Sequence, residues 1–267
     1  MEWITIFQVD AFTDEPFRGN PAGVCFLETE RGEDWMQAVA REMNLSETAF
    51  LVPQDDGYRL RWFTPAAEVD LCGHATLASA HALRETGRAS EDAELHFHTL
   101  SGLLTARRTG KTIELNFPSE PPSACSLPAG MAEALGVDPI WTGANRIDFL
   151  VEIKDAEELS RIQPDFRALK ALTSRGVMVT CRSDREGFDF LSRFFAPAVG
   201  VDEDPVTGSA HCCLGPYWKE KTGRNIFTAF QASSRGGTVR VRVLDDRVIL
   251  GGMAVTVLKG EVLCPKK

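Results

Sequence analysis

The stretch Val201–His211 (VDEDPVTGSAH) decides how the rest of the chain is interpreted. Acids come first, Pro and Gly follow, and small residues then run into two cysteines, an order that predicts a loop feeding the N-terminus of a buried helix. Gly208 lets the backbone approach a ligand closely. Ser209 is the expected N-cap, and the free N–H groups behind it attract an anion. Because Asp204 stands at the mouth of such an anion site, the stretch indicates proton chemistry on a small acid.

The same design occurs once before, in the stretch Trp62–Ala75 (WFTPAAEVDLCGHA). When this stretch is aligned with the one that starts at Phe194, Pro65 aligns with Pro197 and Cys72 with Asp204, without a gap. A short insertion follows in the second copy, after which Gly-His-Ala meets Gly-Ser-Ala. Each copy also follows an apolar strand, a polar turn and a second strand. The sequence therefore predicts an internal duplication.

Length and composition favour a globular protein with two similar halves. The chain has 267 residues, enough for one large domain or two of ordinary size, with 43% hydrophobic and 25% charged residues. A Pro-rich break, Pro118–Pro122, separates an N-terminal half (1–118) from a C-terminal half (119–267). The sequence leaves open whether the last strand, predicted over residues 254–262, returns to the first half.

The net charge disfavours two classes of partner, and the cysteines indicate the redox state of the compartment. The formal net charge of −9 disfavours nucleic acid and anionic membranes as partners. We find neither an apolar run long enough to span a bilayer nor a signal peptide at the N-terminus. The number of cysteines, 7, is odd and no C-x-x-C pair occurs, so we expect reduced thiols and a cytoplasmic location.

Two titratable residues are the first candidates for chemistry. Glu47 lies in the turn Asn44–Phe50 (NLSETAF) between a predicted helix and an apolar strand, and it is either a solvated carboxylate or a partly buried general acid and base. His74 opens a predicted buried helix, whose dipole disfavours the imidazolium form, so a neutral ring there can donate a hydrogen bond or relay a proton. A zinc site is disfavoured because the pair His74 and His81 has no ligand-type third partner nearby and HExxH is absent.

Four motifs in this chain resemble the PhzF family of phenazine biosynthesis-like isomerases, in its order and at its spacing. They are Asn20–Gly23 (NPAG), Asn44–Phe50, Cys72–Thr76 (CGHAT) and Asp204–Ala210 (DPVTGSA). The resemblance covers nearly the whole chain and implies an α/β fold of the diaminopimelate epimerase type. That fold has two pseudo-symmetric domains, each a curved sheet wrapped around a central helix, with the active site in the cleft between them.

The resemblance also implies a reaction and a set of site residues. The reaction is a cofactor-independent isomerisation, without a metal, that moves a proton on a small, cyclic carboxylic acid, in a homodimeric enzyme. Glu47 is the implied general acid and base, with His74 and Asp204 as polar partners near the substrate. The implied substrate-binding residues are Asn20, Ser46, Gly73, Gly208 and Ser209.

Two other functions remain open at this point. Epimerases of this fold use two cysteines, one at the mouth of each central helix, whereas here Cys72 is paired with Asp204. An amino-acid racemase would use Cys72, its pKa lowered by the helix start, with Asp204 or Glu47; a buried, inert thiol is the favoured interpretation. Thiol alkylation would abolish activity only in a racemase. The third function is non-catalytic binding of a small acid, and the sequence identifies neither the substrate nor the oligomeric state.

Overall fold

The computed structural model describes residues 1–265, in which strands outnumber helices. The strands and helices follow one another along the chain as β1 (Glu2–Ala11), β2 (Asn20–Phe26), α1 (Glu33–Met43), β3 (Glu47–Gln54), β4 (Gly57–Phe63), β5 (Glu68–Val69), α2 (Gly73–Glu85), β6 (Leu95–Thr99), β7 (Gly102–Thr109), β8 (Thr112–Pro118), β9 (Ser123–Ala124), α3 (Met131–Leu135), β10 (Trp141–Ala144), β11 (Asp148–Glu152), α4 (Ala156–Arg161), α5 (Phe166–Leu172), β12 (Gly176–Arg182), β13 (Phe190–Phe195), α6 (Gly208–Thr222), β14 (Ile226–Gln231), β15 (Gly237–Val243), β16 (Arg247–Gly252) and β17 (Ala254–Cys264). No helix within residues 1–265 has both the length and the apolar character needed to cross a membrane.

The chain divides into two compact units. Unit 1 comprises residues 1–116 together with the described chain from Gly251 onward, and unit 2 comprises residues 117–250. The last strand, whose place the sequence left open, lies in unit 1. There β17 pairs antiparallel with β1, from Ala11 opposite Ala254 to Glu2 opposite Cys264.

Unit 1 is built around a crossover and a central helix. Strands β2 and β3 are parallel, and α1 forms the connection between them. Helix α1 carries acids in its first turn and Arg41 in its last, as the helix dipole favours. It ends at Asn44, whose φ of 50° places it in the left-handed region. Strand β4 then returns antiparallel to β3, which brings the chain to the start of α2.

Helix α2 is the buried centre of unit 1. Its sequence, GHATLASAHALRE, is rich in small residues, and it packs against β1, β2, β3, β7 and β17. Small side chains let the surrounding backbone come close to the helix on several sides. At Gly252 a Cβ atom would lie 2.4 Å from the ring of Phe12 and 3.0 Å from Leu77 of α2, so this approach to the helix requires glycine.

Unit 2 repeats the order of elements in unit 1. Parallel strands β11 and β12 are joined through α4 and α5, whose N-caps Asp155 and Asp165 accept hydrogen bonds from backbone N–H groups. Strand β13 returns antiparallel to β12, and the buried helix α6 follows. This common order, β–helix–β–β–helix, supports the predicted duplication.

The start of α6 corrects one detail of the sequence analysis. The helix begins at Gly208 with Thr207 in the N-cap position, so Ser209 lies inside the first turn and is not the cap. The core around α6 is aromatic, with Phe190 stacked on Trp218 at 5.6 Å between ring centroids.

Candidate active site

The predicted site residues divide between the two units. In unit 1 the starts of β2, β3 and α2 bring together Asn20, Ser46, Glu47, Gly73 and His74. In unit 2 the loop before α6 and its first turn carry Asp204, Gly208 and Ser209.

Local backbone features place the unit 1 residues at strand and helix starts. Gly19 has a φ of +62°, and a Cβ atom there would lie 2.1 Å from the Ala11 carbonyl oxygen, so only glycine fits where the chain turns into Asn20. The left-handed Asn44 ends α1 two residues before Ser46, and β3 begins at Glu47. Each polar group is therefore fixed at the end of a regular element rather than on a long loop.

Glu47 and His74 form the centre of the unit 1 site. Glu47 Oε2 lies 3.1 Å from His74 Nε2, and the two side chains are 19% and 6% exposed. The two atoms form an ion pair when His74 is protonated, and both are buried. A carboxylate and an imidazole in buried contact can exchange a proton, so this pair is suited to general acid and base chemistry.

The tautomer of His74 follows from its other neighbours. The Ser46 hydroxyl donates to Asn20 Oδ1 at 3.4 Å, and Asn20 Nδ2 lies 3.3 Å from His74 Nδ1. In the neutral form of the ring, the Asn20 NH₂ group donates to His74 Nδ1, because the Asn20 amide oxygen accepts from Ser46. A neutral imidazole in this position therefore carries its proton on Nε2, directed at Glu47.

The pKa of His74 is set by opposing effects. Burial disfavours the imidazolium and lowers the pKa, whereas negative charge on Cys72 and Glu47 raises it. The net result is a pKa well above 6.5. The expectation that His74 is neutral at the helix start is therefore wrong, because the interactions with Cys72 and Glu47 raise its pKa more than burial lowers it.

Cys72 is a buried thiol rather than an activated nucleophile. It is the N-cap residue of α2, is 6% exposed, and its Sγ lies 3.5 Å from His74 Nδ1. Burial, with a further contribution from Glu47, raises the pKa of the Cys72 thiol above 9. The expectation that the helix start lowers this pKa is therefore wrong, because desolvation of the thiolate is the larger effect.

Glu47, Cys72 and His74 also include the atom types that bind metal ions. One ligand atom from each lies within 4.8 Å of the others. Glu47 faces Nε2 of the imidazole, however, while Cys72 faces Nδ1. Since a ring nitrogen binds a metal in its own direction, one tetrahedral ion cannot use all three groups as they stand. The arrangement fits proton relay through the ring better than metal chelation.

The unit 2 residues are organised by Gln231, which the sequence analysis missed. This fully buried side chain accepts a hydrogen bond from Thr207 N at 2.8 Å and donates to Asp204 O at 2.7 Å. The Thr207 hydroxyl in turn donates to Asp204 Oδ2 at 2.6 Å. Gln231 ends β14, far along the chain from Asp204, so no local motif indicated it.

Arg175 is the second residue that sequence reasoning missed. Its Nε donates to Asp148 Oδ1 at 2.8 Å, a second donor pairs with Asp148 Oδ2, and Nη1 donates to Ser209 Oγ at 3.0 Å. Burial raises the pKa of Asp148, and the hydrogen bonds from Arg175 oppose that effect. The hydroxyl oxygen of Ser209, in the first turn of α6, therefore accepts a hydrogen bond from the positively charged guanidinium of Arg175.

Comparisons with known proteins identify the family and the fold of this chain. The sequence profile of the PhzC-PhzF family, described as phenazine biosynthesis-like protein, matches residues 9–260. An uncharacterized isomerase of Halalkalibacterium halodurans is 55% identical over 259 residues, which cover 97% of this chain and 98% of the relative. The crystal structure of a PhzF-family protein of Enterococcus faecalis is 42% identical, with a TM-score of 0.94 over 98% of this chain and 100% of that one. A predicted epimerase of Pseudomonas aeruginosa superposes with a TM-score of 0.76 at 25% identity, over 98% of this chain and 100% of that one.

Proposed function

The chain belongs to the PhzF family of phenazine biosynthesis-like isomerases, and from that premise we propose that it moves a proton on a small, cyclic carboxylic acid with Glu47 as general acid and base. The reaction needs no cofactor, because a carboxyl group that removes a proton from one carbon returns it to another. We also propose that the protein is a homodimer located in the cytoplasm.

The observation that carries the proposal is the close, buried pair Glu47 and His74. Glu47 Oε2 and His74 Nε2 lie 3.1 Å apart, and both belong to groups that exchange protons. Asn20 and Cys72 hold the imidazole from its other nitrogen, so its Nε2 side remains directed at Glu47. His74 can then stabilise the Glu47 carboxylate between the two proton transfers.

The carboxylic acid as substrate class follows from the two helix starts. The N-termini of α2 and α6 each present backbone N–H groups and a positive dipole end. Neither helix has an acidic residue in its first turn. Either helix start can stabilise a substrate carboxylate, or the negative charge that develops as a proton leaves carbon.

Cys72 distinguishes this proposal from a racemase. A cysteine racemase needs a thiolate, and burial opposes its formation here. The raised pKa of Cys72 therefore favours the carboxyl group of Glu47 as the reacting base.

The test is transfer of deuterium from D₂O into a panel of cyclic carboxylic acids, followed by NMR. We expect the wild-type protein to exchange a carbon-bound proton of at least one acid. Glu47→Gln keeps the shape of the side chain but cannot take up a proton, so exchange should fall by about 10²- to 10⁴-fold.

The matched control is Glu42→Gln, since Glu42 is exposed near the end of α1. It should exchange at the wild-type rate. Equal exchange by Glu47→Gln and the wild type on the same acid would contradict the role of Glu47. If the wild type bound an acid without any exchange, the non-catalytic binding protein would be the better interpretation.

A further inference from the structure

The two units can be compared residue by residue through their strand registers. In unit 1, Thr48 of β3 lies opposite Phe63 of β4. In unit 2, Val177 of β12 lies opposite Phe195 of β13, and Phe63 and Phe195 occupy the same place in the duplicated stretches. Thr48 and Val177 are therefore equivalent positions. Glu47 precedes Thr48 and Gly176 precedes Val177, so Gly176 is the unit 2 equivalent of Glu47.

Gly176 leaves no room for an acid at this place in unit 2. A Cβ atom on Gly176 would lie 2.6 Å from the ring of Phe194 and 2.7 Å from the Phe195 carbonyl oxygen. The neighbouring residue, Arg175, corresponds to Ser46 of unit 1. The second half of the duplication thus carries a cation beside the place where the first half carries its candidate base.

Arg175 is held rigidly by its own surroundings. Two of its nitrogens pair with the Asp148 carboxylate, which is buried at the start of β11, and its guanidinium lies 5.4 Å from the centroid of the Phe194 ring. Paired, planar contacts of this kind fix a guanidinium in direction as well as position. Its remaining contact is the 3.0 Å hydrogen bond to Ser209 Oγ.

From these contacts we propose that Arg175 is a positioning residue that turns the Ser209 hydroxyl into a hydrogen-bond donor for a substrate carboxylate. A serine hydroxyl has one proton and two lone pairs, so it can either donate to a ligand or accept from it. Arg175 occupies a lone pair of Ser209 Oγ, which directs the hydroxyl proton away from the guanidinium. The adjacent positive charge also strengthens that donor toward an anion.

This assignment rests on the proposed function, because it assumes that the acid's carboxylate contacts Ser209. Arg175 acts on the anion through Ser209, so its removal should weaken binding of a small aromatic carboxylate.

The experiment measures benzoate affinity by calorimetry, which requires no catalysis. Arg175→Gln alone would leave the buried Asp148 carboxylate unpaired and could unfold the protein. The paired variant Asp148→Asn/Arg175→Gln therefore removes both charges together. We expect the paired variant and Ser209→Ala each to bind benzoate about tenfold more weakly than the wild type, a change of about 1.4 kcal/mol, because each removes a charge-assisted hydrogen bond or the charge that assists it.

The decisive result is the triple variant that combines Ser209→Ala with the pair. If Arg175 acts through Ser209, the triple variant binds benzoate no more weakly than Ser209→Ala, which is a strongly non-additive cycle. A purely structural role would lower the melting temperature of the paired variant and leave its benzoate affinity unchanged. Arg167→Gln, at an exposed position of α5, controls for the loss of one positive charge and should bind like the wild type.

Three results would overturn the proposal. These are additive losses in the cycle, unchanged affinity in the paired variant, and a wild-type protein that does not bind benzoate at all. Failure of the isomerase proposal alone looks different. In that case no acid exchanges deuterium, while the benzoate cycle still shows Arg175 acting through Ser209.

Discussion

At the scale of single residues, His74 is the group whose charge connects the site to pH. Its pKa is above 6.5 in the folded protein because of neighbouring negative charge. A raised pKa means that the folded state binds the proton more tightly than the unfolded state. The stabilisation is therefore fully present below about pH 6.5, the ordinary histidine value, and is lost as pH rises through the folded pKa.

The prediction compares the free energy of unfolding of the wild type with that of His74→Gln across pH. The wild type should lose stability relative to the variant as pH rises above about 6.5, by about 1.4 kcal/mol for each unit by which the pKa is raised. Denaturant unfolding at several pH values measures the difference. Parallel stability curves for the two proteins would show that His74 is not a perturbed titrating group.

Cys72 gives a second prediction at the residue scale. Its thiol is buried with a raised pKa, whereas Cys125 is exposed. Because alkylation requires an accessible thiolate, iodoacetamide should modify Cys125 well before Cys72 in the folded protein. Peptide mass spectrometry after brief labelling measures the order, and denatured protein provides the control in which both react. Preferential labelling of Cys72 would restore the racemase as the leading interpretation.

At the scale of elements, the loop before α6 depends on a side chain from β14. Gln231 bridges Thr207 N and Asp204 O, and both atoms lose a partner if the amide is removed. Gln231→Leu should lower the free energy of unfolding by about 2 kcal/mol, the typical cost of leaving buried polar groups unpaired. Urea unfolding measures this loss. Gln163→Leu, at an exposed position, should be close to the wild type, and equal stability of both variants would contradict the bridging role.

The elements also show which parts of the site are readable from sequence. Asn20, Ser46, Glu47 and His74 lie at strand and helix starts inside short motifs, so their types and order indicated the site before the fold was known. Arg175 lies outside those motifs, and its contacts with Asp148 and Ser209 depend on tertiary packing. The sequence also did not predict that the pKa of Cys72 is raised, because this shift depends on burial rather than on the position of Cys72 at the helix start.

At the scale of the whole molecule, the duplication has kept its elements and changed its chemistry. Both units place a buried helix after a parallel pair and an antiparallel return strand, yet unit 2 has Gly176 where unit 1 has Glu47. Close packing against Phe194 and Phe195 excludes a side chain at that glycine. The two halves are therefore specialised and not interchangeable.

This specialisation predicts the effect of adding one methyl group. Gly176→Ala should destabilise the protein by about 2 kcal/mol, because the core around the new Cβ atom is already filled. Gly260→Ala is the control, since a Cβ atom there would make only an ordinary contact of 3.7 Å with Leu258. Thermal unfolding compares the two, and an unchanged melting temperature for Gly176→Ala would contradict the assigned packing.

The central claim is that the carboxyl group of Glu47, and not the thiol of Cys72, moves the substrate proton. The most direct test is the rate of deuterium incorporation from D₂O into one responsive cyclic carboxylic acid, measured for Cys72→Ala beside Glu47→Gln. We expect near-wild-type incorporation with Cys72→Ala and a loss of about 10²-fold or more with Glu47→Gln. Loss of incorporation with Cys72→Ala while Glu47→Gln remains active would contradict it and identify a thiol-dependent racemase instead.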